Sequence, residues 1–161
     1  MEIDKAALIA LILEGLNERL DALCQSARAA YDSATHEESK AEDKYDTRGL
    51  EASYLAGAQA KRTKELEDAI GRYTALKPRP FGEEDPIALS ALITVDTGKK
   101  EYIYFIGPEA GGMQFSLDGA VITVITPRSP LGKELVGRYL DDEFELTRGD
   151  ALCTYEIVGL A

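Results

Sequence analysis

The chain has 161 residues, with 18 Lys and Arg against 29 Asp and Glu, a formal net charge of −11 and a sequence pI of about 4.6. That deficit of cations excludes a generic duplex-DNA binder, whose affinity comes from Lys and Arg neutralising phosphates. Its longest apolar run, Ala6 to Leu13, is far short of the ~20 residues a membrane-spanning helix needs.

No basic segment followed by an apolar stretch and a small-residue cleavage site opens the sequence, so a chain that is not secreted is expected. Two cysteines, Cys24 and Cys153, are too few and too far apart for a disulfide framework or a zinc site, and fit the reducing cytoplasm.

In chain order, the first element is a long helix. Apolar residues recur at Ile9, Leu13, Leu16, Leu20, Leu23, Ala27, Ala30 and Ala34 in alternating steps of four and three, the seam of a coiled coil. A second helix is expected over 40–76, with a seam at Ala52, Leu55, Gln59, Arg62, Leu66, Ala69, Tyr73 and Leu76. The short polar connection between them makes the helices antiparallel neighbours. Thirty helical residues rise ~45 Å, so an antiparallel coiled-coil hairpin over 1–76 would carry its turn far from the rest of the chain.

That turn is acidic. Asp32, Glu37, Glu38, Glu42, Asp43 and Asp46 face only Lys40, Lys44 and a lone His36. Mg²⁺ takes carboxylate oxygens together with water and substrate phosphates, so a bare acidic tip could complete a metal site that another macromolecule supplies in part. By itself it lacks anything to exclude water or position a substrate. The same residues also fit helix capping: Thr35-x-x-Glu38 and Ser39-x-x-Glu42 are both capping-box patterns.

Residues 77–86 hold three of the six prolines and read as a linker, since proline ends helices and central strands alike. Beyond it, over 87–161, β-branched residues dominate. Strands are expected at 87–95 and 101–106 around the turn Asp96-Thr97-Gly98-Lys99, then at 120–125, 143–146 and 154–158. Ser129-Pro130-Leu131-Gly132 opens a short helix with proline in its first turn. The overall expectation is α+β, with an antiparallel sheet carrying one helix. Cys24 and Cys153 are expected to be packing residues. Gly111-Gly112 precedes a strand rather than a helix and is no phosphate loop.

The run TPRSPLGKELVGRYLDDEFEL (126–146), followed by TYEIVGL (154–160), resembles the signature of the bacterial Gre transcript-cleavage factors. That signature has a strand, Ser-Pro-hydrophobic, a short helix ending in Leu-x-Gly-(Lys/Arg), and a Gly-Asp-x-(Val/Phe) strand start. The hairpin Asp96-Thr97-Gly98 with Tyr102, the linker and the length agree as well.

The resemblance implies an FKBP-like C-terminal domain that docks on RNA polymerase, and a coiled coil inserted into the polymerase's secondary channel. It implies tip carboxylates, here Glu38, Glu42 and Asp43, lent to the polymerase. Glu38 and Glu42 would share a Mg²⁺ with the polymerase active site, which then hydrolyses its own backtracked RNA. The factor is accordingly not a stand-alone enzyme. It is expected to be a cytoplasmic monomer with no membrane and no specific duplex-DNA partner. Ser129 and Pro130, flanked by Arg128, Lys133 and Arg138, would be polymerase-contact residues, although the same cations could equally be scattered surface charge.

The tip departs from the family pattern. With Glu42 in the glutamate position, Asp43 replaces Asn, and the residue three earlier is Ser39 rather than an acid. Two further readings therefore stand beside cleavage stimulation. One is a non-catalytic regulator that occupies the same channel. The other is a coiled-coil adaptor or folding helper unrelated to transcription, since fold alone does not fix function.

Overall fold

A computed structural model of the chain describes residues 3–35 and 48–161, with side chains described over 3–33 and 56–161. Two long helices, α1 (Lys5–Thr35) and α2 (Arg48–Ala75), precede six strands and one short helix. The strands are β1 (Leu92–Asp96), β2 (Glu101–Ile106), β3 (Gln114–Leu117), β4 (Ala120–Ile125), β5 (Glu143–Arg148) and β6 (Ala151–Leu160), with α3 (Pro130–Leu135) between β4 and β5. The α+β expectation is borne out. The chain divides into two compact units, one of Met1–Leu13 and Arg72–Ala161, the other of Glu14–Gly71.

In the first unit the six strands form one sheet in the order β3-β4-β2-β1-β6-β5. The sheet is mixed rather than wholly antiparallel, because β2 pairs β4 in parallel. The reason is local. The chain leaves β2 through the loop 107–113, enters the outer strand β3, and turns back at Asp118-Gly119 into β4, which slots beside β2. Both turn residues hold left-handed backbone, Asp118 at φ 51° and Gly119 at φ 80°, the pair of positive angles a tight hairpin turn requires. The edge strand β3 has no counterpart in the sequence expectation.

Side chains alternate across a strand, so each strand feeds two faces. Ile93 and Val95 of β1, Ile106 of β2, Phe144 of β5, and Tyr155 and Ile157 of β6 are buried on one face with Leu135 of α3. The connection from β4 to the edge strand β5 passes β2, β1 and β6, and α3 rides within it, which is why one short helix can close this core. On the opposite face the register aligns Leu92 with Phe105 and Phe105 with Val124, all buried, with Ile122 beside them.

Ser129 caps α3. Its backbone is extended, its hydroxyl donates to the Thr126 carbonyl at 2.7 Å, and its Oγ accepts the Gly132 N–H at 3.1 Å. Pro130 occupies the first helical position, where no N–H is missed. Before β5, Asp141 holds φ 66°. The Gre signature has glycine in this strand start, and Asp is among the few other residues that tolerate the left-handed region.

Several strands differ from their expected bounds: β5 (Glu143–Arg148) and β6 (Ala151–Leu160) run beyond the expected 143–146 and 154–158. Strand β1 begins at Leu92, not at 87, because Ser90 turns the chain at φ 70°. The segment before it is instead fastened to the end of α3: Ile87 N–H donates to the Arg138 carbonyl and Gly137 N–H to the Ile87 carbonyl, each at 2.8 Å.

Asp4 starts α1 by accepting the N–H groups of Ala6 and Ala7 on Oδ1, the behaviour of an N-cap. The helix buries Leu8 and Ile12 completely, a pair four residues apart that the heptad seam does not contain. Full burial of such side chains stabilises by ~1.5–3 kcal/mol each. Near its C-terminal end, α2 buries Tyr73.

In the second unit, Leu16 is buried, Leu20, Leu23 and Ala27 are half-buried, and Ala30 is exposed. On α2, Ala69 is buried and Leu66, Thr63 and Gln59 are half-buried, whereas Arg62 points to solvent. Thr63 thus takes the seam position assigned to Arg62, and its hydroxyl donates to the Gln59 carbonyl at 2.9 Å. The outer flank carries Lys61–Glu65 and Lys64–Asp68 pairs at helical i, i+4 spacing.

Candidate functional site

The expected site has two parts. The tip residues Glu38, Glu42 and Asp43, with His36, lie outside the described residues. Among the described residues no group of three or more His, Cys, Asp and Glu side chains is arranged to hold a metal ion.

The second part is the Ser129 element, which is fully described. Ser129 and Pro130 are spent on capping α3. Arg128 reaches across the loop to Glu109, Nη2 to Oε1 at 3.0 Å. Arg138 is held by Glu134, with Nη2 at 3.0 Å from Oε2 and Nε donating to the Glu134 carbonyl, while its guanidinium carbon lies 5.0 Å from the Phe144 ring centroid. Lys133 is exposed in the last turn of α3. Two of the three cations are therefore neutralised in place, and they do not form one positive patch.

This element is rigid for a sequence-readable reason. A Cβ added at Gly132 would meet the Thr126 carbonyl oxygen at 1.9 Å, so only glycine lets the helix sit this close to the end of β4. Beside these charged side chains the element also presents apolar ones: Val136 and Tyr139 are exposed after α3, and Leu89 is exposed on the segment Ile87 fastens beside them.

Glu109 is the residue that sequence reasoning missed. Its carboxylate Oε1 accepts from both Arg128, at 3.0 Å, and Arg72 of α2, at 3.1 Å. Its main-chain carbonyl accepts the Tyr73 hydroxyl at 2.7 Å. Burial, and then the Glu109 carboxylate, push the Tyr73 phenol well above its ordinary value, so it stays a donor. Nothing in a stretch reading Gly-Pro-Glu-Ala-Gly-Gly signals a hub, because the partners lie 37 residues back and 19 residues on in sequence, by subtraction of their numbers. Lys5, Arg79 and Phe81, which meet at the start of α1, were likewise missed.

Of the remaining candidates, Cys153 is half-buried as expected, but Cys24 is exposed and is no packing residue. Gly112 holds φ 90° and donates its N–H to the Val124 carbonyl at 2.8 Å, a backbone turn feeding β3. No helix among the described residues is long and apolar enough to cross a membrane.

No family model matches the chain. Two curated relatives do. The sequence is 29% identical over 120 residues to the transcription elongation factor GreA of Syntrophotalea carbinolica, covering 73% of this chain and 68% of that protein. It is 28% identical over 101 residues to the transcription elongation factor GreA of a Sulfurovum species, covering 63% of this chain and 59% of that protein, which is less than two thirds of its length. Among solved structures, the GreA factor homolog 1 (Gfh1) of Thermus thermophilus is 21% identical at a TM-score of 0.37, over 92% of this chain and 94% of that one. The GreA/GreB elongation factor of Nitrosomonas europaea is 18% identical at a TM-score of 0.38, over 69% and 92%. The resemblance to the Gre-type transcription elongation factors is borne out by the curated relatives.

Proposed function

We propose that this relative of the Gre-type factors is a transcription elongation factor that binds RNA polymerase through the secondary channel and stimulates cleavage of backtracked RNA. The observation that carries the reading is the similarity to the two GreA proteins. The α3 element adds to it, since the signature's serine, proline and glycine do identifiable work there.

On this reading the protein acts as a cytoplasmic monomer, its coiled coil enters the polymerase, and the acidic residues between α1 and α2 are the part that reaches the polymerase active site. Glu38 and Glu42 are the residues proposed to share a Mg²⁺ with the polymerase, with Asp43 beside them. Carboxylate oxygens suit that ion, which keeps open positions for water and phosphate. Ser129, Pro130, Arg128, Lys133 and Arg138 belong to the proposed docking side. Since Arg128 and Arg138 already have carboxylate partners, docking there rests on shape and on Lys133 more than on free positive charge.

The test is binding to core RNA polymerase followed by RNA cleavage in stalled elongation complexes. The proposal expects binding, and release of 3′ RNA fragments faster than the polymerase achieves unaided. Absence of binding contradicts it.

The second reading, a non-catalytic occupant of the same channel, is favoured by one observation: Ser39 and Asp43 stand where the family has an acid and an asparagine. Binding without faster cleavage, together with competition against a cleavage-competent factor, selects it.

A further inference from the structure

The first turn of α1 and the proline-rich segment after α2 meet in an open cleft of ≈ 510 Å³, lined by Ile3, Asp4, Lys5, Ala6, Pro78, Arg79 and Pro80. Lys5 Nζ donates to the Arg79 carbonyl at 2.6 Å and lies 4.8 Å from the centroid of the Phe81 ring. The Arg79 guanidinium carbon lies 3.9 Å from the same ring. Two cations thus share one buried aromatic.

Both carboxylates nearby accept backbone N–H groups. Asp4 accepts the N–H groups of Ala6 and Ala7. Asp85 accepts the Gly82 N–H at 2.8 Å and pairs loosely with Arg79 at 3.8 Å. Lys5 is therefore an amine crowded by a like charge, held against apolar surface, and open to solvent along the cleft. Burial, and then the Arg79 charge, lower its ammonium from 10.5 to about 8.

We propose that Lys5 is an acylation site whose donors are acyl phosphates, with the Arg79 guanidinium holding the phosphoryl leaving group. The lone pair of the neutral amine attacks the acyl carbonyl carbon. A C–N bond forms, and the C–O bond to phosphate breaks with its electron pair on the phosphate oxygen. The nitrogen of the starting ammonium gives up two protons, one to solvent and one to the departing phosphate, and the product is an amide and hydrogen phosphate. The donor class follows from the neighbour. A guanidinium binds phosphate oxygens through a planar fork of donors, and it offers no such grip to an uncharged leaving group. The inference does not depend on the transcription reading.

The experiment uses the full chain at about pH 7.5 with acetyl phosphate, and in parallel with N-acetylimidazole, which expels uncharged imidazole and offers the guanidinium no oxyanion to hold. Initial acetylation rates at each lysine are read by peptide mass spectrometry. At that pH the Lys5 amine is neutral ~200-fold more often than an ordinary lysine, an advantage partly offset by the lower nucleophilicity that accompanies lower basicity. With acetyl phosphate, Lys5 is expected to react about tenfold faster than the exposed Lys61 and Lys64. In Arg79→Gln, the ratio of the acetyl phosphate rate to the N-acetylimidazole rate at Lys5 is expected to fall by at least about threefold. A Lys5 that reacts with acetyl phosphate no faster than Lys61 and Lys64 overturns the site, a result read on the unaltered chain. An unchanged ratio in Arg79→Gln overturns the assignment to acyl phosphates.

Discussion

The Tyr73 hydroxyl donates a 2.7 Å hydrogen bond to the main-chain carbonyl of Glu109, 36 residues away in sequence. The ring that carries it is 1% exposed, and the backbone beside it leaves no spare room: a Cβ on Gly107 would lie 2.0 Å from the Tyr73 Oη. The end of α2 is thereby keyed into the loop between β2 and β3 by one hydroxyl and one missing methyl group. These two features should be energetically coupled. Tyr73→Phe is expected to cost ~1–2 kcal/mol, because it removes the hydroxyl donor from a partly buried carbonyl. Gly107→Ala is expected to cost ~1–3 kcal/mol by overpacking. In the double variant the alanine should cost less than it does alone, since its closest obstacle is gone. Urea unfolding of the four proteins measures this; strict additivity would show that the hydroxyl does not set the spacing.

Gly132 is a harder constraint, because the obstacle to a side chain there is the backbone oxygen of Thr126 rather than a side-chain terminus. Gly132→Ala is expected to destabilise by more than Gly107→Ala, at ~3 kcal/mol or above. Ser129→Ala, which removes only the cap, is expected to cost ~1 kcal/mol. Thermal unfolding of both variants ranks them, and a Gly132→Ala protein as stable as Ser129→Ala would mean that α3 is free to shift away from β4.

Lys5 and Tyr73 predict opposite slopes of stability with pH. The folded Lys5 ammonium titrates at about 8 against an ordinary 10.5, so between those values the unfolded chain binds more protons and stability rises with pH. Below about 8 both states are protonated and the contribution is flat. The Tyr73 phenol is raised above 10 by burial. Above pH 10 the folded state therefore holds the extra proton, and stability falls. Denaturant midpoints between pH 7 and 11 should climb and then turn over. Lys5→Met should remove the climb and Tyr73→Phe should blunt the fall.

The acidic residues between the helices carry the prediction on activity. Glu38→Ala combined with Glu42→Ala is expected to leave binding to RNA polymerase unchanged while lowering cleavage by ~100-fold or more, the scale on which misplaced catalytic groups cost rate. Polymerase co-elution and a cleavage time course on the same preparation read the two effects separately. Loss of binding together with cleavage would show that these residues hold the protein in place rather than act on the reaction.

The sequence reading succeeded where local chemistry dictates structure. The cap-and-proline start of α3, the strand 120–125 with its run of β-branched residues, and the turn after Asp96 follow from residue types within a few positions. It failed where the deciding partner is distant. Strand β3, reading Gln-Phe-Ser-Leu, is too short to show a period and exists because β4 offers it an edge. The parallel β2–β4 pair depends on how far a loop reaches, which no pattern within either strand records. Leu8 and Ile12 lie off the heptad seam of α1 because that end of the helix is buried in the same unit as the sheet, and Arg62 gives its seam position to Thr63. The hub at Glu109 is legible only once Arg72, Tyr73 and Arg128 have been brought to it by the fold. The serine, proline and glycine of the signature are explained by their local partners as parts of a capped, tightly seated helix.

The most direct measurement is the rate at which a stalled, backtracked RNA polymerase complex releases labelled 3′ RNA fragments on addition of this protein in Mg²⁺. The account predicts saturable acceleration that disappears with Glu38→Ala and Glu42→Ala together. A rate identical to that of the polymerase alone, at protein concentrations shown to saturate binding, would contradict it.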